Sequence, residues 1–378
     1  SLAAASVDAS VAFEPRSPTV AVTLADGQDA TTATSSAAFQ LIFSEPVTGL
    51  EVDDLDVDST AGGQASIEGS DDGTTFVVRI TSLERAGTVT VSVRAGAVEN
   101  AYGLDNASSE AASVVFAPER PSATVDQAAS QADPADVDGI AFDVAFSQPV
   151  TGLEPSDLVV GGTARAAVVE LTGDGAAYVA IVSGAARPGT VTLSLPEGAA
   201  VGAFEATSLA ATSTDAEVTF APPAPTVTVE QAASQEDPAS FGVIVFDVTF
   251  SHDVSGLAPE SFVVGGTAGA TSVQLEGSGS TYRAFVVDMV RLGTVTLGLA
   301  ADAAVDRYGV RSLAATSVDA EVTFAPPVPM AAITRAEGQA AVTAAQPFVF
   351  HVAFSVPVSG LAADDVIVGG DTGATIVE

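Results

Sequence analysis

Residues 142–153 read Phe-Asp-Val-Ala-Phe-Ser-Gln-Pro-Val-Thr-Gly-Leu, and this stretch decides the fold. Its apolar residues Phe142, Val144 and Phe146 fall at every second position, which is the pattern of a β-strand with one buried face. The Pro-Val-Thr-Gly-Leu that follows is a turn signal, and another short apolar run comes after it. The stretch therefore predicts a half-buried strand, a turn and a second strand.

The same block recurs through the chain, at 39–50, 246–257 and 350–361. The last Phe of each block recurs at spacings of 103, 104 and 104 residues, at Phe43, Phe146, Phe250 and Phe354. Two further markers follow each of the first three blocks in the same order. One is Gly-Thr-Val-Thr, beginning at Gly87, Gly189 and Gly293, and the other is Val-x-Phe-Ala-Pro, ending at Pro118, Pro222 and Pro326. Such a period predicts an array of similar domains.

The joints of the array are short and rich in proline, at 118–121, 222–225 and 326–329. Proline fixes φ and favours extended neighbours, so we expect stiff connectors. We divide the chain into a closing strand of a preceding repeat (1–17), a first (18–120), second (121–224) and third repeat (225–328), and the first half of a fourth (329–378). We expect the chain to be a window on a longer array.

About seven short strands per period are predicted. In the second repeat they fall near 122–129, 139–147, 156–160, 166–171, 176–183, 189–195 and 214–220. Alternating patterning, glycine-rich turns and the lack of a convincing amphipathic helix indicate an all-β protein built of β-sandwich domains. A recurring aromatic residue on the fifth strand is interpreted as core packing or a capped sheet edge, at Phe76, Tyr178 and Tyr282.

The charge balance excludes some classes of partner. The 378 residues include 12 basic and 48 acidic side chains, for a net charge of −36, and every basic residue is Arg. Phosphate backbones and anionic membrane surfaces attract clusters of Lys and Arg, so neither is an expected partner. Membrane insertion is not expected within this segment, because the sequence has no run of 18 or more apolar residues. A hydrophobic fraction of 47% is too high for a disordered acidic tail. Since Cys is absent, neither disulfides nor thiolate metal sites are available, whereas oxygen-ligated cations remain possible.

The blocks carry a resemblance to a known family. The pattern Phe-x-Val-x-Phe-Ser-x-Pro-Val-x-Gly-Leu, then Gly-Thr-Val-Thr, then Ala-Gly-Ala resembles the tandem bacterial Ig-like domains of large surface adhesins, and the first repeat shows it at 39–57 and 87–100. The resemblance implies seven-stranded Ig-like sandwiches in a secreted or cell-surface protein. It implies extender or assembly units without catalysis, frequently rigidified by Ca²⁺ near the joints.

Acidic loops between the first two strands are the candidate calcium ligands, because Ca²⁺ binds several converging carboxylate and carbonyl oxygens. They lie near the joints, at Asp26, Asp29, Asp133, Asp136, Asp138, Glu236 and Asp237. No stretch matches the EF-hand spacing, and a solvated acidic surface is the alternative interpretation. Calcium is the one cofactor that the sequence suggests.

Catalysis is not expected. The two histidines, His252 and His351, lie in different repeats, and no Gly-x-Ser-x-Gly nucleophile elbow occurs. An apolar residue holds the outward position of the third strand where the first repeat has Asp56, at Val159, Val263 and Ile367. These side chains are either ordinary surface or a lateral contact between arrays.

The leading hypothesis is a non-enzymatic adhesin stalk or extender, extracellular or on the cell surface. Its partners are neighbouring repeats of the same longer chain. The first alternative is a subunit of a self-assembling filament, sheath or surface layer, whose partners are other copies of itself. The second is an array of carbohydrate-binding modules, which the absence of Trp and the presence of only four Tyr disfavour.

Overall fold

The computed structural model describes residues 11–69, 71–371 and 373–375. Within these ranges the regular structure consists of β-strands and single 3-10 turns, and it includes no α-helix. The all-β fold class is therefore confirmed. The chain separates into two compact units, Ser1–Pro223 and Ala224–Glu378. No helix in the described ranges has the length and apolar character needed to cross a bilayer.

The first repeat folds as two facing sheets. Its strands are β1 (Val20–Leu24), β2 (Thr31–Thr32), β3 (Ser36–Phe43), β4 (Val47–Thr48), β5 (Leu55–Ser59), β6 (Gln64–Gly69), β7 (Thr75–Thr81), β8 (Gly87–Val93), β9 (Glu99–Asn100) and β10 (Ala112–Phe116). One sheet has the order β1-β3-β7-β6 and the other β2-β10-β8-β5, with β4 and β9 paired separately. Only β2 pairs in parallel, with β10. This is the sandwich arrangement of Ig-like domains.

The core of this repeat lies between the sheets. On β3, Phe39, Leu41 and Phe43 are buried and alternate with more exposed residues, as the sequence pattern predicts. They pack in one cluster with residues of the opposite sheet such as Val89 and Phe116. Burial on alternate positions of both sheets is what holds the sandwich together.

The second repeat repeats this plan. Its strands are β11 (Ala123–Gln127), β12 (Ile140–Phe146), β13 (Val159–Gly161), β14 (Val168–Asp174), β15 (Ala177–Ser183), β16 (Gly189–Ser194) and β17 (Glu217–Phe220). The sheets have the orders β11-β12-β15-β14 and β13-β16-β17. Each strand overlaps one that the sequence predicts.

Two of these strands begin three residues later than predicted, and side-chain hydrogen bonds explain why. The strand expected at 156–160 starts at Val159, because residues 155–157 form a 3-10 turn in which the Asp157 carboxylate accepts a bond from the backbone N–H of Glu154 at 2.8 Å. The strand expected at 214–220 starts at Glu217, because the Asp126 carboxylate accepts bonds from the N–H groups of Thr214 and Asp215. In both places a side-chain carboxylate takes a backbone N–H group that strand pairing would otherwise use, through a local bond at Asp157 and a long-range one at Asp126.

The third repeat and the following half-repeat make up the second unit. The strands are β18 (Val227–Gln231), β19 (Ile244–Val254), β20 (Phe262–Gly265), β21 (Ser272–Val287), β22 (Gly293–Leu299), β23 (Glu321–Phe324), β24 (Ala331–Arg335) and β25 (Phe350–Phe354). The third repeat has sheets β18-β19-β21 and β20-β22-β23, and β24 pairs with β25. The number of strands differs between repeats, since β21 spans the positions of both β14 and β15.

Both ends of the described chain lack a complete sandwich. Of the predicted closing strand at 1–17, residues 1–10 lie outside the described residues, and 11–17 form no strand. In the half-repeat, Phe350 is 56% exposed, whereas its counterpart Phe246 is fully buried. The strands that cover Phe246 have no counterparts within residues 329–375.

The glycine of the Gly-Thr-Val-Thr motif has a steric role. A Cβ atom on Gly87 would lie 2.6 Å from Thr60 Oγ1 and 2.7 Å from the backbone nitrogen of Ala61. Gly189 approaches the turn at Thr163 in the same way. The strand can begin against this turn only where no side chain intervenes.

Candidate functional site: the joint between the first two repeats

Three of the seven predicted calcium residues bind backbone groups of their own repeat. Asp133 Oδ1 accepts a hydrogen bond from Thr219 N at 3.0 Å, and Asp237 Oδ1 accepts one from Thr323 N at 2.9 Å. Both bonds fasten the loop after the first strand to the closing strand. The Asp138 carboxylate likewise accepts bonds from the N–H groups of residues 184 and 185, at 3.2 and 3.3 Å. These three carboxylates therefore stabilise the fold by accepting backbone hydrogen bonds.

The other members of the set are exposed, namely Asp26, Asp29, Asp136 and Glu236. In the part of the chain that the structure describes, no three His, Asp or Glu side chains come together in a group that could hold a metal ion. Calcium binding stays a prediction, and it would need carbonyl oxygens or water to complete a coordination shell.

The proposed lateral residues all face solvent. Val159 on β13 is 53% exposed, Val263 on β20 is 60% exposed, and Ile367 is 94% exposed. Strands β13 and β20 are edge strands of their sheets. A contact between arrays through these side chains stays a prediction.

The recurring strand aromatics are partly buried and pack against core phenylalanines, in line with the interpretation as core packing or a capped sheet edge. Phe76 meets Phe43 edge-on with ring centroids 5.7 Å apart, and Tyr178 and Tyr282 meet the corresponding phenylalanines at 6.0 Å. The Tyr282 hydroxyl donates to the carbonyl of Val254 at 3.2 Å. Burial, and then the charge of Asp253, raise the pKa of Tyr282.

The histidines do not form a catalytic constellation. His351 lies exposed on β25. His252 Nδ1 is 2.9 Å from Ser251 Oγ, and its Nε2 is 3.7 Å from the buried Asp306 carboxylate, beyond hydrogen-bond distance. Ser251 Oγ already accepts a bond from Thr226 N. The Ser251 hydroxyl thus accepts a hydrogen bond at the start of β18. The His252 imidazole makes no hydrogen bond to the Asp306 carboxylate, whereas in a catalytic triad the histidine is hydrogen-bonded to an acidic residue.

Sequence reasoning missed a buried polar position in the loop before the closing strand. Asn100 Oδ1 accepts bonds from Tyr102 N and Leu104 N at 3.0 Å each, which shapes the loop. Its Nδ2 donates to the carbonyl of Arg16 at 3.0 Å, in the segment that enters the first repeat. The signal was the short motif Asn-Ala-Tyr-Gly, which recurs as Asp-Arg-Tyr-Gly at 306–309.

Arg120 is the second residue that the sequence did not single out, and it fastens the linker at 118–121. Its guanidinium donates to the carbonyls of Thr207 at 2.8 Å and Ser208 at 2.9 Å, and it lies 2.7 Å from the Glu197 carboxylate. All three partners belong to the second repeat. A planar guanidinium with several partners in fixed positions orders the linker more than a single ion pair would.

The linker also passes very close to the second repeat. Gln148 Nε2 donates to the carbonyl of Glu119 at 3.1 Å. A Cβ atom on Gly202 would lie 2.6 Å from the ring of Pro121, so the linker can take this path only because residue 202 is glycine. The linker is therefore bound along its length to the domain that follows it.

The comparisons agree with this architecture. Residues 14–116 match the family model described as a bacterial Ig-like domain. This segment is similar to bacterial Ig-like domains. The Ig-like plan recurs in the second and third repeats, which carry the same markers and sheet partners, and the resemblance to tandem bacterial Ig-like domains is confirmed. A search of the curated proteins finds no match.

Several solved structures are similar to this chain. Invasin, described as a bacterial integrin-binding protein, is 14% identical over 90% of this chain and 68% of its own, with a TM-score of 0.30. InvD of Yersinia pseudotuberculosis is 15% identical over 79% and 95%, with a TM-score of 0.24. The adhesin InvE of the same organism is 13% identical over 70% and 72%, with a TM-score of 0.26.

Proposed function

We propose that the chain is part of the non-enzymatic stalk of a secreted or cell-surface protein, whose Ig-like repeats act as extenders. The observation that carries the proposal is the linker at 118–121, which Arg120 and Gln148 bind to the second repeat. A free hinge would leave such a linker in solvent. An extender requires joints that resist bending, so that successive repeats add to its length.

The family match supports the same role, since an Ig-like domain of this type is typically a structural or binding module. Many functions occur on this fold, so the assignment rests on the joint. The distributed charge of −36 suits an exposed array, because like charges keep neighbouring stalks apart and soluble.

Electron microscopy of the purified chain tests the proposal. We expect separate, extended particles at low and moderate salt. Particles in which the first two repeats take all relative angles would contradict it, because the linker contacts would then be too weak to orient successive domains.

A self-assembling filament or layer is the second candidate, and the exposed valines of β13 and β20 favour it. Periodic multi-chain order in the same images would support it over a stalk. Carbohydrate binding has less support, because Tyr178 and Tyr282 pack against core phenylalanines. Specific binding on a glycan array would reverse that ranking.

A further inference from the structure

Two aromatic contacts occur at corresponding places on the first unit. Phe13 and Tyr102 have ring centroids 5.2 Å apart, and Phe116 and Phe204 have theirs 5.3 Å apart at an interplanar angle of 84°. Phe13 and Phe116 hold the same place in the chain, one period apart, just before a linker. Tyr102 and Phe204 also correspond, in the loop before the closing strand. Each pair thus joins the residue before a linker to a loop of the repeat after it.

The two pairs differ in how deeply the ring before the linker is buried. Phe116, which meets Phe204 edge-on, is completely buried. Phe13, which meets Tyr102, is 69% exposed. The joint between the first two repeats is therefore the one at which the contact involves a buried ring.

The loop that carries Phe204 is held in an uncommon conformation. Phe204 and its neighbour Glu205 both have left-handed backbones, with φ of 58° and 56°. Two consecutive non-glycine residues adopt this conformation only where surrounding contacts impose it. Two such contacts are present: Gly202 against Pro121 of the linker, and the Glu205 carboxylate 3.9 Å from the Arg85 guanidinium of the first repeat. The exposed ion pair orients the loop but adds little energy.

We propose that Tyr102 and Phe204 are clasp residues: each packs on the phenylalanine that precedes the linker and so limits the bending of that joint. The inference rests on the proposed extender function and names the surface through which one repeat restrains the next. An aromatic edge-to-face contact has a preferred angle, which a contact between aliphatic side chains lacks. The ring therefore contributes orientation as well as buried area.

Spin-label distance measurements on the full chain test the clasp. Because the chain has no cysteine, Ser66→Cys on β6 and Thr172→Cys on β14 give one label in each of the first two repeats. In this labelled parent we expect a narrow distance distribution. Phe204→Ala should widen it at least twofold, Phe204→Leu should widen it less, and Phe204→Tyr, which mimics Tyr102, should keep it narrow.

The matched control is Phe241→Ala, which removes a 77% exposed ring in the third repeat and should leave the distribution unchanged. A Phe204→Ala distribution as narrow as the parent's overturns the clasp, as does equal widening by Phe241→Ala. Amide exchange on β12 and β15 reports whether each variant stays folded, and Phe204→Leu decides the question if the alanine variant unfolds.

The two proposals fail in different ways. If Phe204→Ala leaves the distance distribution narrow, the clasp proposal is wrong. The linker contacts of Arg120 are then enough to orient the repeats, and the proposed extender function still stands. If the labelled parent already shows a broad distribution, both the clasp and the oriented joint are wrong.

Discussion

Phe246 and Phe241 lie five residues apart in the third repeat and differ completely in their surroundings. Phe246 is fully buried on β19, in a cluster with Val295 and Leu297 of the opposite sheet, whereas Phe241 is 77% exposed in the preceding loop. Removing a buried ring leaves a cavity that its neighbours fill only in part. The two residues therefore separate the energetic role of a core anchor from that of a surface aromatic.

We expect Phe246→Ala to lower the free energy of unfolding of the third repeat by about 3–5 kcal/mol. Phe241→Ala should change it by less than about 0.5 kcal/mol. Hydrogen exchange followed by mass spectrometry on β19 and β22 measures both. Similar losses for the two variants would show that burial does not set the contribution of these rings.

Asp126 links the second repeat's stability to pH. Backbone N–H bonds from Thr214 and Asp215, with further bonds from two hydroxyl groups, hold the pKa of Asp126 below its ordinary value of 3.8. A depressed pKa in the folded state means that the carboxylate stabilises the fold above pH 3.8, and that this contribution disappears as the pH falls through the folded pKa.

Asp126→Asn should therefore lower the melting temperature of the second repeat at pH 7. The difference from the parent should shrink as the pH falls from about 3.8 through the lower pKa of the folded state, because the folded parent then also loses its charge. Asp174→Asn, at an exposed position on β14, is the control. A difference that is the same at pH 7 and pH 3 would mean that the charge of Asp126 has no role.

At the scale of the element, the alternation of apolar residues predicted nearly every strand, because period-2 burial is a local property of the sequence. The alternation could not place strand ends that depend on side chains far away in the sequence. One example is the start of β17, where Thr214 N donates to the Asp126 carboxylate 88 residues away. The same limit applies to the loop acids. The sequence identified Asp133 as a candidate calcium ligand but could not show its bond to Thr219, which depends on how the loop and β17 pack.

Two substitutions at Asp133 distinguish a backbone acceptor from a calcium ligand. If Asp133 only accepts the hydrogen bond from Thr219 on β17, Asp133→Asn keeps an accepting oxygen and should leave the melting temperature close to that of the parent. Asp133→Ala should then lower the melting temperature. If Asp133 binds calcium, both variants should lose any rise in melting temperature that calcium produces relative to EDTA. We expect the first pattern, and a calcium-dependent shift abolished by Asp133→Asn would contradict it.

At the scale of the whole molecule, charge is spread unevenly. The chain carries −36, yet residues 261–275 contain no charged side chain and include the exposed Val263 on the edge strand β20. An uncharged edge is where two acidic chains could approach with least repulsion. The lateral-contact hypothesis therefore makes its clearest prediction at this strand.

Val263→Asp should abolish any self-association of the full chain, as measured by sedimentation velocity over a range of concentrations. Val179→Asp, at a partly exposed valine on β15 away from the edge strand, is the control. If the chain associates and Val263→Asp leaves that association intact, the lateral contact does not involve this residue.

The sequence by itself determined the repeat, the strand pattern and the core phenylalanines, because each follows from local periodicity. Only the tertiary structure decided how the joint is held. Arg120 meets Thr207 across 87 residues of sequence, and Phe204 meets Phe116 across two repeats. Such contacts depend on where the loops lie in the folded protein. A local sequence pattern does not specify which residues far apart in sequence come into contact.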